Sequence, residues 1–233
     1  MNISDVDAIE QLSTTLSSTQ TIHIFGAGLK KDKPAHTAVH ELKQRGWAVA
    51  PVHPNDAGAT IDGFPIRPNL DDGLTPEVVV LFLAPERARK VVKNLILRFE
   101  KINFPLVWFQ HGAEDEASIE ALSEMGATYV SNDCIVRYSE RHNLRCLNSP
   151  LPQQWCIQIA SNSGDGCSEW SVHDSDSVAL EKPKNALEWV GSLDDLRHSH
   201  HTIANYIRSL KKPNESLLEA SIRLSGNMES LRR

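Results

Sequence analysis

Between residues 21 and 131 short apolar runs alternate with stretches whose apolar positions recur every three or four residues. The apolar runs are Thr21-Ile-His-Ile-Phe25, Trp47-Ala-Val-Ala-Pro-Val52, Val78-Val-Val-Leu-Phe-Leu83, Leu106-Val-Trp-Phe109 and Thr128-Tyr-Val130. Their β-branched and aromatic content predicts strands. Val78 to Leu83 is apolar throughout, as expected of a strand covered on both faces of a parallel sheet. The helical period predicts helices over 4–16, with Ser4 as cap and Val6, Ile9, Leu12 and Leu16 on one face, and over 34–45, with Ala35, Ala38, Val39 and Leu42 inward and Gly46 as terminator. It predicts two more over 85–99 and 114–125, the first burying Val91, Val92, Leu95 and Ile96. The second carries three acids in its first turn and ends at Gly126. Residues 53–76 are rich in Pro, Gly, Asp and Asn and read as a long irregular connection with a helical turn near Asn69. The order βαβ–loop–βαβαβ predicts an α/β fold, a doubly wound parallel sheet of Rossmann-like type.

The pattern changes after Leu147. Asn148-Ser-Pro-Leu-Pro152 reads as a boundary between a domain over 1–147 and a small C-terminal α+β appendage over 148–233. In the appendage 155–160 and 169–173 read as strands of a hairpin turned at 161–166. Residues 185–210 and 216–225 read as helices, separated by Lys211-Lys-Pro-Asn214.

Composition narrows the class. The chain has 233 residues, 40% hydrophobic and 23% charged, with a net charge of −6. That balance is ordinary for a soluble globular protein and argues against a general nucleic-acid binder. The N-terminus has neither a basic region nor an apolar core of a signal peptide, and no apolar run approaches the ~20 residues that span a bilayer. A cytoplasmic protein with no membrane association is the expectation. Cys134, Cys146, Cys156 and Cys167 form no C-x-x-C pair, which speaks against a zinc ribbon or thioredoxin-type site. His198-Ser-His200-His201 would place His198 and His201 on one helix face, but no further ligand stands at a familiar metal spacing, so a solvated face is expected and no metal.

Ligands of doubly wound sheets bind beyond the carboxyl ends of the strands. Gly26-Ala27-Gly28 follows a strand and precedes a helix opened by Pro34. Two glycines there let the backbone approach a diphosphate at a helix N-terminus; the alternative is a purely structural turn. The third glycine of the dinucleotide fingerprint is replaced by Lys31, and Lys30, Lys31 and Lys33 crowd the loop. They are either a solvated run or cations for a ligand with several phosphates. An NAD site places an acid about 20 residues past the glycines. The second strand here ends Val52-His53-Pro-Asn55, with no acid, which weakens NAD and disfavours NADP less. Coenzyme A has a ribose phosphate beside its diphosphate, and NADP also has one, so both stay open. The other strand exits, Leu83-Ala84-Pro85 and Gln110-His111-Gly112, complete the candidate edge. Cys134 reads as a buried thiol, with thiol chemistry at the ligand edge as the alternative.

These residues resemble the small bacterial and archaeal CoA-binding domain proteins, which are similar to the nucleotide-binding domain of the succinyl-CoA synthetase α subunit. The first loop, Ile24 to His36, resembles that family's phosphate loop. Val49-Ala-Pro51-Val-His-Pro54 resembles its second strand, Val78 to Pro85 its third, and Val107-Trp108-Phe-Gln110-His-Gly112 its fourth-strand exit. Asn132-Asp-Cys134 resembles its closing Asp-x-Cys segment. The chain departs from the family at Leu83-Ala84, where a basic residue is usual, at Asn132 in place of Asp, and after Cys134, where Arg137 and Tyr138 stand near the place of an acid. The resemblance implies CoA or acyl-CoA at Gly26, Ala27, Gly28, Lys30, Lys31, Lys33, Pro34, His53, Asn55, Leu83, Ala84, Pro85, Gln110, His111, Gly112 and Cys134, with no catalytic residue assigned. It implies a binding or regulatory module, with room for a protein partner or a homodimer. The competing readings are an NAD(P)-dependent oxidoreductase, an acyl-CoA ligase subunit and a redox-sensing DNA regulator. The ligase would need a further domain with a phosphorylated histidine, the regulator a DNA-binding domain; neither is visible.

Overall fold

The computed structural model describes residues 6–148, 151–161, 167–176 and 179–225. The Ser4 cap, the side chain of Val6, most of the 161–166 turn and part of the Asn148–Pro152 boundary lie outside the described residues. The elements run α1 (Val6–Ser18), β1 (Thr21–Phe25), α2 (Pro34–Gln44), β2 (Ala48–Val52), β3 (Thr60–Ile61), β4 (Phe64–Pro65), β5 (Val78–Leu81), α3 (Pro85–Arg98), β6 (Leu106–Phe109), α4 (Glu116–Met125), β7 (Tyr129–Val130) and α5 (Ile135–Arg141). Then come β8 (Gln154–Ala160), β9 (Ser168–Asp174), β10 (Leu187–Ser192), α6 (Leu193–His198), α7 (Thr202–Ser209) and α8 (Leu217–Ser225). The chain divides into two compact units, residues 1–51 with 75–151 and residues 52–74 with 152–233.

The first unit is a five-stranded sheet in the order β2-β1-β5-β6-β7. The chain leaves β1 toward one edge and returns at β5 to fill the other, so the crossover direction reverses between these two neighbours. That reversal is the switch point of a doubly wound sheet. The β1–β5 and β5–β6 pairs are parallel, Ile24 and Trp108 flanking Val80. Val78 to Leu81 is fully buried, as its unbroken apolar run predicts. Helix α2 packs with α5, and α3 with α4. Helix α2 ends as expected at Gly46 (φ +91°). The Gly46 N–H donates to Lys43 O at 2.9 Å and the Trp47 N–H to Leu42 O at 3.3 Å, which satisfies two terminal carbonyls. The buried Trp47 indole N–H in turn donates to Leu16 O at 3.0 Å. Helix α1 runs on to Ser18, two residues beyond the expected end, and the Thr15 and Thr19 hydroxyls donate to the carbonyls of Gln11 and Thr15.

The second unit gathers β10-β8-β9 into an antiparallel sheet. One face packs Cys156, Trp170, Val172 and Trp189 against α6 to α8; the other buries Trp155, Ile157 and Val190. Burial pushes the Cys156 thiol up to about 12, marking a core residue. Two expectations are corrected here. Residues 187–192 form a strand, not the start of a helix spanning 185–210. Antiparallel pairing with β8 takes up Trp189 to Ser192, and the Ser192–Asp195 capping box starts α6 only beyond it. His198 therefore ends α6 while His201 caps α7, so the two do not share a helix face.

Residues 53–74, read as a connection within the first domain, belong to the second unit. They carry no helix near Asn69 but a 3-10 turn at Pro54–Asp56 and the β3–β4 hairpin. Asp62 (φ +55°) and Gly63 (φ +86°) turn that hairpin, the Asp-Gly pair suited to a two-residue loop. The segment is tied down by Arg67, which is 2% exposed. Its Nε donates to Asp195 Oδ2 at 2.6 Å, and Nη1 donates to Pro65 O at 3.3 Å. Removing one partner of a buried ion pair strands the other charge, at a cost of about 3–5 kcal/mol. Asp195→Ala should therefore lower unfolding stability by about that much in urea titrations. Adding Arg67→Met should recover part of the loss. A double variant that loses the sum of the two single effects would contradict this coupling.

Candidate functional site

The exits of β1, β5, β6 and β7 lie side by side along the carboxyl edge of the first sheet. At the switch point β1 ends in Gly26, whose φ of +95° is left-handed. A Cβ built there would lie 2.2 Å from Phe82 O and 3.3 Å from the Leu83 side chain. The Phe82 N–H meanwhile donates to Phe25 O at 3.0 Å. The first glycine is thus required by the meeting of two strand exits. Ala27 and Gly28 are buried, while Lys30, Lys31, Lys33 and Pro34 are exposed. The His36 Nδ1–H donates to Gly28 O at 2.9 Å, folding the loop back onto the first turn of α2.

Helix α2 begins at Pro34 with Lys33 as its cap residue, no side-chain cap and no acid in its first turn. Helix α3 begins at Pro85, with Ala84 as cap residue and again no side-chain cap. Two helix N-termini without a side-chain cap therefore follow the two strands of the switch point, that of α3 with Glu86 in its first turn. Each carries the partial positive charge that draws anions. Leu83 and Pro85 are half-buried and Ala84 is exposed, giving this exit an apolar lip.

The β6 exit is built differently. Gln110 is buried, 5% exposed, and its backbone N–H donates to Leu81 O at 3.2 Å. His111 and Gly112 are exposed. Gly112 has a φ of +82°, yet nothing stands within 4 Å of where its Cβ would be. Glu114, expected in the first turn of the 114–125 helix, lies before α4, which starts at Glu116. Its carboxylate accepts the Gly112 N–H at 2.7 Å and the Asn132 N–H at 3.3 Å, joining the β6 and β7 exits. The helix starts late because Asp115 takes the cap position, accepting the Ser118 N–H at 2.9 Å. A Ser three residues after an Asp, ahead of an apolar run, was the available signal.

Asp115 is also gripped by Arg89 of α3, whose Nε and Nη2 donate to it at 3.0 and 2.6 Å. That hydrogen-bonded guanidinium, aided by Ser118, holds the Asp115 carboxyl well below the usual carboxylate range against the opposing effect of burial. At the β7 exit Asn132 is left-handed (φ +62°). Asp133 accepts the Cys134 N–H at 2.8 Å and an Arg141 N–H at 2.5 Å. Its carbonyl accepts the Trp108 indole N–H at 2.9 Å. Cys134 is half-buried at the start of α5. His53 and Asn55 belong to the second unit, where His53 Nδ1 lies 3.1 Å from Asp56 Oδ2 and Asn55 is exposed. They are not among the residues the first unit gathers. Among the described residues no three His, Cys, Asp or Glu side chains stand together as a metal site, and no helix is long and apolar enough to cross a membrane.

Residues 20–139 match the model of the CoA binding domain family. A Thermus thermophilus protein is similar at 27% identity and a TM-score of 0.51, over 57% of this chain and 97% of its own. A hypothetical protein from Pyrococcus horikoshii OT3 is similar at 26% identity and a TM-score of 0.51, over 60% of this chain and 95% of its own.

Two predictions follow from this geometry. Gly26→Ala should destabilise the protein by at least ~2 kcal/mol, because strain in φ adds to a backbone clash. Gly112→Ala, strained but unobstructed, should cost ~1 kcal/mol. Equal losses in denaturant titrations would contradict the close-approach argument. The Asp115 carboxyl, depressed in the folded state, stabilises the fold above the ordinary carboxylate pKa of about 4. That contribution is lost as pH falls below about 4 toward the depressed value. Asp115→Ala should therefore lower stability at pH 7, and the gap between wild type and variant should shrink as the pH is lowered below about 4. A gap that stays constant on acidification would show that the ionised carboxylate is not the stabilising form.

Proposed function

The chain belongs to the CoA-binding domain family, and on that premise we propose that its first unit binds coenzyme A at the carboxyl edge of the parallel sheet as a non-catalytic module, a carrier, sensor or regulatory subunit. The observation that carries the reading is the Gly26–Gly28 turn at the switch point, followed by two helix N-termini without side-chain caps. Such a turn brings backbone N–H groups within reach of a diphosphate, and the α2 dipole favours its charge. Lys30, Lys31 and Lys33, all exposed beside that turn, supply mobile cations for the additional ribose phosphate. The apolar lip at Leu83, Ala84 and Pro85 takes the adenine or the uncharged pantetheine arm. Gln110, His111, Gly112 and Cys134 border the thiol end, where acyl-CoA and free CoA differ.

In this reading the edge works by binding. Backbone amides and lysines neutralise phosphate, and apolar side chains shield the rest. Calorimetric titration of the whole chain with CoA, dephospho-CoA and NADP tests it. CoA should bind, dephospho-CoA should bind at least tenfold more weakly, and NADP should not compete. Lys31→Ala with Lys33→Ala should weaken CoA at least tenfold, about 1.4 kcal/mol, and narrow the gap to dephospho-CoA. Binding of NADP alone would replace this reading with a nicotinamide-cofactor one. Absence of any CoA binding would overturn it.

A further inference from the structure

The second unit contains a cavity of about 510 Å³ that has no part in the CoA reading. Its volume is in the range of small-molecule sites. Its lining includes the apolar residues Ala57, Pro68, Pro183, Leu187 and Trp189. Trp189 is 3% exposed, and its indole N–H is spent on Asp71 Oδ2 at 2.8 Å. Pro183 is seated against Gly58, where a Cβ would lie 2.7 Å from the proline ring. That contact fixes the proline between the two lysines beside it in the chain.

The lining also carries both signs of charge. Lys182 and Lys184 line the cavity, are exposed, and make no ion pair among the described residues. Opposite in sign are Asp71 and Glu188. Both acids are held: Asp71 Oδ2 also accepts the Ser199 hydroxyl at 2.9 Å, and Glu188 accepts the Gln158 amide at 2.8 Å. His201 adds a donor. Its Nδ1 accepts the Ile203 N–H at 3.3 Å, so the neutral ring carries its proton on Nε2. The formal charges of the lysines and acids cancel. A bare anion gains two cations but meets two fixed acids, and a bare cation meets the reverse. A ligand carrying both charges on an apolar body is complementary to the apolar, cationic and anionic residues of this lining.

We propose that this cavity is a binding site for a small zwitterion, an α-amino acid or dipeptide with an apolar side chain. Its carboxylate pairs with Lys182 and Lys184, its ammonium group with Glu188, and its side chain lies against Trp189 and the prolines. The inference is independent of CoA binding, and its test reads a different unit.

The Trp189 indole N–H resonance of the isotope-labelled whole chain is the reporter, because its partner Asp71 lines the cavity. Titration with phenylalanine and with glycylphenylalanine should shift that resonance saturably. 3-Phenylpropionate, lacking the ammonium group, and phenethylamine, lacking the carboxylate, should bind at least tenfold more weakly. Lys182→Ala with Lys184→Ala, and separately Glu188→Gln, should each weaken the zwitterion at least fivefold while calorimetric CoA affinity stays as in the wild type. The proposal is overturned if neither zwitterion shifts the resonance, if a singly charged analogue binds as well, or if the double lysine variant binds unchanged.

Discussion

At the centre of the parallel sheet the exits of β1 and β5 approach so closely that position 26 has no room for a side chain. The Phe82 carbonyl oxygen occupies the place a Cβ would need. The arrangement of the first unit depends on this approach. It closes the β1–β5 pair, sets the reversal of crossover direction, and lets α2 and α3 start from neighbouring strands. The same constraint makes the edge suitable for anions, because a turn without a side chain leaves its backbone donors uncovered.

The rest of the edge is held by carboxylates rather than by glycines. Glu114 spans the Gly112 and Asn132 N–H groups, Asp115 caps α4 and receives Arg89, and Asp133 joins Cys134 to Arg141. The half of the edge by β1 and β5 has two helix starts without side-chain caps, Glu86 in the first turn of α3, and the exposed Lys30, Lys31 and Lys33. The half by β6 and β7 has acids on several of its donors.

The second unit is assembled around a different interaction. Arg67 and Asp195 lie 128 residues apart in the chain, yet their buried contact draws residues 52–74 into the antiparallel sheet unit. The cavity with its mixed charges depends on that union, since Pro54, Asn69 and Asp71 come from the early segment and Lys182 to Val190 from the late one. The chain thus carries a parallel-sheet edge in one unit and a cavity of about 510 Å³ in the other.

The amino-acid sequence by itself determined what is set by local pattern. The buried run Val78 to Leu81, the starts of α2 and α3 at proline and the stops at Gly46 and Gly126 are written in periods and in residues with restricted or permissive φ. The Gly26–Gly28 turn between strand and helix was legible for the same reason, and with it the glycine-and-lysine half of the candidate site. Only the tertiary structure decided the features that depend on partners distant in the chain. Residues 187–192 became a strand because β8 offered a pairing edge, although their apolar spacing also suits a helix. Asp62-Gly63 was a local hairpin signal passed over inside a polar stretch, but that its segment belongs to the second unit follows from Arg67 meeting Asp195. Glu114 was indistinguishable from other acids near a helix start until the β6 and β7 exits were brought together. Local pattern specifies backbone conformation, whereas the partner of a buried charge or of an unpaired N–H group is chosen by the fold.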